Sequence, residues 1–314
     1  MINALKAKLK KRSLSILLGS LALFFLGSLP SLALERFVWS PQKTVVGRIR
    51  IHVVSKGETL LDIAREYDLG YNHIVLANPG VDPWVPPEGK EIIVPTSFVL
   101  PEKRNGLIVN LAEMRLYFFR REMDQRVVYT APIGVGVEGR LTELGVYTIV
   151  RKKKNPAWHV PKSIREEDPT LPEVVPPGPD NPLGAYALYL SRGAYAIHGT
   201  NRPWGIGRRV SHGCIRLYPE DIEALYPLVP IGTPVFIIYQ PIKLGVREGK
   251  IYLQVFPDYE NKVPDPREEI LRLANQIEKE TGQKVILYLA TVTKIIKEAN
   301  GVPTEAGKIK QGRR

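Results

Sequence analysis

At 314 residues the chain is too long for one small domain, and an apolar content of 44% is that of a globular protein with a real core, so two or three compact units are expected. The formal charge of +12 says less than its size suggests, because Lys6, Lys8, Lys10, Lys11 and Arg12 all precede the first acid, Glu35, and 12 − 5 leaves +7 on the remainder. That excess comes without zinc-finger spacing or an RNP-like aromatic motif, which argues against nucleic acid as a partner and suits an anionic cell envelope.

Residues 1–34 read as an address rather than as fold. A basic start is followed by the apolar run Leu14 to Leu29 and then by Ser31-Leu32-Ala33, with small side chains at the two positions a signal peptidase inspects. Cleaved, this is a signal peptide; uncleaved, it is a signal anchor and the chain's one contact with a membrane. Either way the body is exported. Cys214 is the only cysteine, so no disulfide forms within the chain, and a lone thiol outside the cytoplasm is an oxidation hazard unless it is buried or has work to do.

Residues 45–96 carry their own signals. Val46 to Val54 alternates as a strand, Ser55-Lys56-Gly57 makes a turn, and Thr59 caps a helix with Asp62 as its reciprocal partner. Leu60, Ile63, Ala64 and Tyr67 fall on one helical face, where core packing is the expected role of Tyr67. A short second helix fits Asn72 to Ala77, and Glu91 to Val94 closes the unit before Pro95. This βααβ order, with HVVSKGETLLDIAREYDL, VLANPGVDPW and IIVP, resembles the LysM module. The resemblance implies binding to the N-acetylglucosamine backbone of peptidoglycan through Gly57, Glu58, Thr59, Asn78 and Pro79.

After a polar linker, Pro101 to Asn105, strand-like pieces follow closely: Leu107 to Asn110, Arg115 to Phe119, Arg126 to Thr130, Val146 to Val150, Ala187 to Leu190, Ala194 to His198 and Pro234 to Tyr239. Turns such as Ser191-Arg192-Gly193 between them argue for a mainly β domain, a sandwich or half-closed barrel. Asn155 to Gly184 interrupts it with eight prolines and no periodicity, as a surface excursion that is either a wall of the site or a decoration.

Chemistry concentrates between Ile197 and Arg216, where the cysteine lies with two of the five histidines. A thiol nucleophile needs an imidazole to take its proton and flexible backbone to offer amides to an oxyanion, and His198, His212 and the glycines supply both. Pro219, Glu220 and Asp221 then open a helix whose buried face is Ile222, Leu225 and Tyr226, fixing the end of the loop. A zinc site built from His198, His212 and Cys214 would lack an acid placed as base and the signature of a zinc hydrolase. No metal and no cofactor are expected.

The stretches PIGVGVEGRLTELGVYTIVRKKKNPAWHVP and PPGPDNPLGAYALYL, and above all IHGTN followed by VSHGCIRL, resemble the L,D-transpeptidase catalytic domain of the YkuD type over residues 105–239. With the LysM-like unit in front, the chain resembles the LysM-bearing L,D-transpeptidases of Gram-negative envelopes. The resemblance implies a periplasmic, wall-associated cysteine acyltransferase acting on peptidoglycan stem peptides, with Cys214 as nucleophile, His198 as base, Gly199 orienting His198 through its carbonyl, His212 steadying loop and charge, and Gly213 offering an oxyanion amide. Ser211, Asn201, Trp204 and Arg216 are the expected substrate contacts. Two departures stand out: Thr142-Glu143-Leu144-Gly145 replaces the common Thr-Pro-x-Gly, and Arg216 stands where many members carry Asn. Arg216 either grips a substrate carboxylate or pairs with Glu220 or Asp221. The acyl acceptor, a second stem, an envelope lipoprotein lysine, a D-amino acid or water, is not legible.

Residues 240–306 suggest an α+β appendage packed on the catalytic domain: a hairpin around Arg247-Glu248-Gly249, a helix from Pro266 to Gly282, a strand from Val285 to Leu289 and a last helix from Thr293 to Ala299. Residues 307–314, with four cations, read as a disordered basic tail. The expected architecture is thus multidomain: a LysM module, a β-sandwich-like catalytic domain and the appendage.

Overall fold

The structure, a computed structural model, describes residues 34–137, 140–192 and 195–310. The leader or anchor reading of 1–34 lies outside the described residues except at Leu34, which is buried in the core; residues 138–139 of the quoted motifs, the turn at Gly193-Ala194 and the last four tail residues also lie outside them. Among the described residues no helix is long and apolar enough to cross a membrane. The described residues form one compact unit.

Its centre is a nine-stranded sheet. From one edge to the other the strands are Glu35–Val38, Gln125–Pro132, Arg115–Glu122, Gly106–Asn110, Pro234–Ile238, Gly145–Lys154, Tyr186–Leu190, Ala196–His198 and Ile215–Arg216. Two pairings are parallel, Pro234–Ile238 with Gly106–Asn110 and Ala196–His198 with Ile215–Arg216; the others are antiparallel. The expected sandwich of two sheets is therefore one continuous mixed sheet. Its two faces are covered by different partners, because strand side chains alternate. Leu107, Val109, Leu116, Phe118, Val235 and Ile237 join the helix Pro219–Leu228 through Ile222 and Leu225. Ile108, Tyr117, Phe119 and Val128 join the N-terminal unit through Leu60, Ile63, Ile74 and Phe98.

The N-terminal unit thus shares a core with the sheet. Its first strand does not run unbroken from Val46: Val45–Gly47 pairs with Ser97–Val99, and only Arg50–Val53 pairs with Glu91–Val94. Gly47 marks the break, with φ 70°, and a Cβ there would meet Thr96 O at 2.1 Å, so the chain changes partner where only glycine fits. The Thr59 capping box forms as expected, Thr59 Oγ1 accepting from Asp62 N and Asp62 Oδ2 from Thr59 N, and opens the helix Leu60–Glu66. Tyr71–Ala77 follows as the second helix. Tyr71 N and Asn72 N donate to Ile206 O and Gly207 O, which seats the unit directly on the loop between His198 and Cys214.

The appendage is a four-stranded sheet in the order Ile242–Arg247, Lys250–Val255, Thr304–Lys310, Lys284–Leu287, packed against the helices Pro266–Thr281 and Leu289–Glu298. The reading of 307–314 as a disordered tail is corrected for Gly307 to Lys310. They complete an inner strand that bonds on both sides, with Ile309 packed against the core. A buried ion pair, Lys243 Nζ to Glu113 Oε2 at 2.6 Å, joins the appendage to the catalytic sheet, and Tyr117 Oη and Asn110 Nδ2 complete the coordination of Glu113.

Candidate active site

Parallel pairing sets Ile197 opposite Ile215 and His198 opposite Arg216, so His198 ends one strand while Cys214 directly precedes its neighbour. Leu217 N donates to His198 O at 2.8 Å and continues the ladder. Arg216 is also fixed on its other side, exchanging two main-chain hydrogen bonds with Gly134. His198 and the thiol are therefore placed by sheet register and not by a flexible loop.

His198 is 3% exposed, and its Nδ1 lies 2.7 Å from Gly199 O. A carbonyl only accepts, so Nδ1 carries the hydrogen and Nε2 is left as a lone-pair acceptor. Burial, then the neighbouring Arg216 charge, lowers its pKa to about 4. Cys214 is half-buried. Burial raises its pKa, opposed by a hydrogen bond from the Ala196 amide and by Arg216. Both shifts favour the uncharged forms, thiol and neutral imidazole, at neutral pH.

The turn ahead of the cysteine is held from inside. Ser211 Oγ donates to Cys214 O at 2.6 Å and accepts from Gly213 N at 3.2 Å, and Thr142 Oγ1 donates to Gly213 O at 2.9 Å. Gly213 has φ 104°, and a Cβ would meet the Tyr195 ring at 2.7 Å. Ser211, 1% exposed, braces the turn. The Gly213 amide, expected to face an oxyanion, is directed at that hydroxyl.

His212 is exposed, its Nε2 3.2 Å from Glu167 Oε2, and Arg140 pairs with the same carboxylate. Burial, Arg140 and Arg216 all lower its pKa. Glu167 ends a helix, Lys162–Glu167, within the proline-rich excursion, so that excursion is a wall of the site. Asn201 Nδ2 donates to Asp180 O, a second tie to the excursion. Trp204, 65% exposed, lines a cavity of about 260 Å³ with Trp84, Tyr71, Arg65 and Asp62 of the N-terminal unit; neither Cys214 nor His198 lines it.

Arg216 does not pair with Glu220 or Asp221. Glu220 bonds Arg65, and Asp221 accepts from Leu34 N, while the buried Nε of Arg216 has no hydrogen-bond partner. Its neighbours in charge are Cys214 and Arg202. Nor do His198, His212 and Cys214 gather as metal ligands; the cluster with that spacing among the described residues is His52, Glu58 and Glu66 in the N-terminal unit.

The matches to known proteins follow this geometry. The family model for the YkuD L,D-transpeptidase catalytic domain matches residues 104–237. A probable L,D-transpeptidase ErfK/SrfK of Salmonella typhimurium is 42% identical over 231 residues, covering 68% of this chain and 74% of that protein. The probable L,D-transpeptidase YbiS of Escherichia coli is 38% identical over 271 residues, covering 82% and 87%. The chain belongs to the L,D-transpeptidase family. Among solved structures, the catalytic domain of Enterococcus faecium L,D-transpeptidase matches at 22% identity with a TM-score of 0.35, covering 44% of this chain and 100% of that one.

For a chain of this family, three positioning groups went unread in the sequence: Thr142, Arg140 and Glu167. The departure from Thr-Pro-x-Gly keeps Thr142, and its partner lies 71 residues away, beyond any local signal. Of the residues read as glycan contacts, Asn78 is 7% exposed and its amide bonds Ile74 O, Ile93 O and Ile93 N, latching the unit. Glu58 holds His52 and Ser55 N, and the Thr59 side chain is spent on its cap. Gly57 and Pro79 remain exposed.

Proposed function

We propose that the chain is an exported, wall-associated peptidoglycan L,D-transpeptidase that works through a Cys214 thioester. The observation that carries this reading is the His198 arrangement: a neutral imidazole, pinned at Nδ1 by the Gly199 carbonyl, on the strand beside the one Cys214 precedes. His198 Nε2 takes the thiol proton as sulfur attacks the carbonyl of the third residue of a tetrapeptide stem. The tetrahedral adduct collapses, His198 returns the proton to the departing amine, and D-alanine leaves. An amine then attacks the thioester, loses its proton to His198 and releases the thiol. The acceptor amine belongs to a second stem, giving a 3-3 cross-link, or to an envelope lipoprotein lysine; water in its place gives carboxypeptidase side activity.

Charge around the thiol supports an anionic donor. Arg216, with an unpartnered buried Nε, and Arg202 face the site, and a stem peptide brings carboxylates that a guanidinium grips bidentately. His212, tied to Glu167, holds the turn against the wall. The N-terminal unit, read as a LysM module, would keep the enzyme on glycan strands. The test is mass analysis of purified protein incubated with a disaccharide tetrapeptide. An acyl adduct on the peptide containing Cys214 and release of D-alanine are expected, both absent in Cys214→Ala. Turnover by Cys214→Ala would end the proposal.

A further inference from the structure

Leu34 occupies an unusual position for the residue after a leader. It is 5% exposed and packed in the main core. Its φ is 65°, a left-handed conformation that costs a branched side chain energy, and its main-chain N donates to Asp221 Oδ1 at 3.1 Å. Asp221, in the first turn of Pro219–Leu228, and Asp68, just past the helix Leu60–Glu66, are 1% and 5% exposed. Apart from each other, both carboxylate oxygens of Asp68 and Oδ2 of Asp221 have no hydrogen-bond partner.

Asp68 and Asp221 lie within hydrogen-bond reach of each other, so two carboxyl groups are buried side by side with the Leu34 amide on one of them, and the pair is short of positive charge. The charges nearby do not fill the gap. Arg115 directs Nη1 at Thr130 Oγ1 and Nη2 at the main-chain oxygen of Asp68, and Arg65 is taken by Glu220. Glu35 adds a further partly buried acid. The missing partner is a compact cation with several donors, and one peptide bond separates Leu34 N from being such a group.

We propose that the Ala33–Leu34 bond is cut on export and that the resulting Leu34 ammonium seats on the buried carboxylates of Asp68 and Asp221. Water adds across the amide under a leader peptidase; Ala33 leaves as a carboxylate on the leader, and Leu34 gains an amino group that is protonated at neutral pH. Ser31 and Ala33 are the small residues such a peptidase needs. The cut also removes the carbonyl that makes φ of Leu34 unfavourable. The ammonium would offer three donors to the pair and join the new terminus to the N-terminal unit through Asp68 and to the helix behind Cys214 through Asp221. This assignment rests on the export reading and not on the thioester chemistry.

The first measurement is the intact mass and N-terminal sequence of protein recovered from the cell envelope, expected to begin at Leu34. The second compares melting of the 34–314 chain bearing its own amino group with the same chain N-acetylated, and with one retaining Ala33. At pH 7 both altered chains should melt about 5 °C or more below the first. The difference should vanish in Asp221→Asn or, should that variant fail to fold, in Asp68→Asn. A mature terminus elsewhere, equal melting of all three chains, or a difference that survives both substitutions would overturn the assignment, while turnover with stem peptide would still report on the transpeptidase reading separately.

Discussion

The hydroxyl of Thr142 donates to the carbonyl oxygen of Gly213 at 2.9 Å and accepts from Gly136 N, so one buried side chain sets the residue before Cys214. Thr142→Val keeps the shape and removes both bonds. Leaving a buried carbonyl unsatisfied costs about 1–3 kcal/mol, and because the turn carries Cys214, a misplaced thiol should lower kcat by about tenfold or more. Steady-state kinetics beside a melting curve check it. An unchanged kcat with a lowered melting temperature would make Thr142 a stability residue only.

If His198 acts as the proposed base, its protonation should set the acid limit of acylation. Its pKa of about 4 means that the base stays neutral well below the ordinary imidazole range, so kcat/KM for acylation should hold down to about pH 5 and fall near 4. Arg216→Gln removes a cation that opposes protonation, so the acid limb should move to higher pH. Since Arg216 also lowers the thiol pKa, the alkaline rise in thiolate should move up as well. His198→Gln should abolish turnover at neutral pH and recover part of the acylation rate only where the thiolate forms unaided. A pH profile of Arg216→Gln that loses amplitude without moving would show that the arginine grips substrate and leaves the base alone.

The buried pair Lys243–Glu113 predicts how the appendage is held. Lys243→Met leaves a carboxylate with Asn110 and Tyr117 but no cation, at a cost of about 3–5 kcal/mol, whereas the double change with Glu113→Gln should recover most of it. Denaturant unfolding of the four proteins of the cycle measures the coupling. If the double variant is no more stable than Lys243→Met, the ion pair is not what holds the appendage.

What the sequence disclosed was local. Thr59 with Asp62, the hairpin at Glu248-Gly249 and Pro219 ahead of its helix each state their role within four residues, and each forms. The candidate site stood out in the sequence because a thiol, two histidines and glycines fall within twenty residues. Contacts across long separations were not. Asn78 looks like a turn residue until its amide is seen bonding Ile93. Gly307 to Lys310 looks like a charged end, because a strand held by main-chain bonds on both sides needs little from its side chains beyond Ile309. The sheet's two covered faces are written in its alternating apolar residues, but which partner covers which face is decided only by packing.

The pH dependence of the Leu34 terminus separates it from a merely structural end. With the terminus blocked, Asp68 and Asp221 share a buried site and both pKa values are raised, chiefly by burial; Asp221 reaches about 7. A carboxyl group whose folded pKa exceeds its unfolded value binds more protons folded than unfolded. Its contribution is therefore complete at acid pH and is lost as pH rises from about 4 through 7. Arg115 and Glu35 from the sheet, Tyr218 and Glu220 beside the helix start, and Arg65 from the N-terminal unit face this site. They are present in blocked and unblocked chains alike, so they cancel in a comparison. An ammonium at Leu34 favours the charged carboxylates and removes the loss. The melting difference between the free-terminus and acetylated chains should therefore be small near pH 4 and widen up to pH 7. A gap that stays constant over that range would show that acetylation acts by bulk, and that the carboxylates do not hold the terminus.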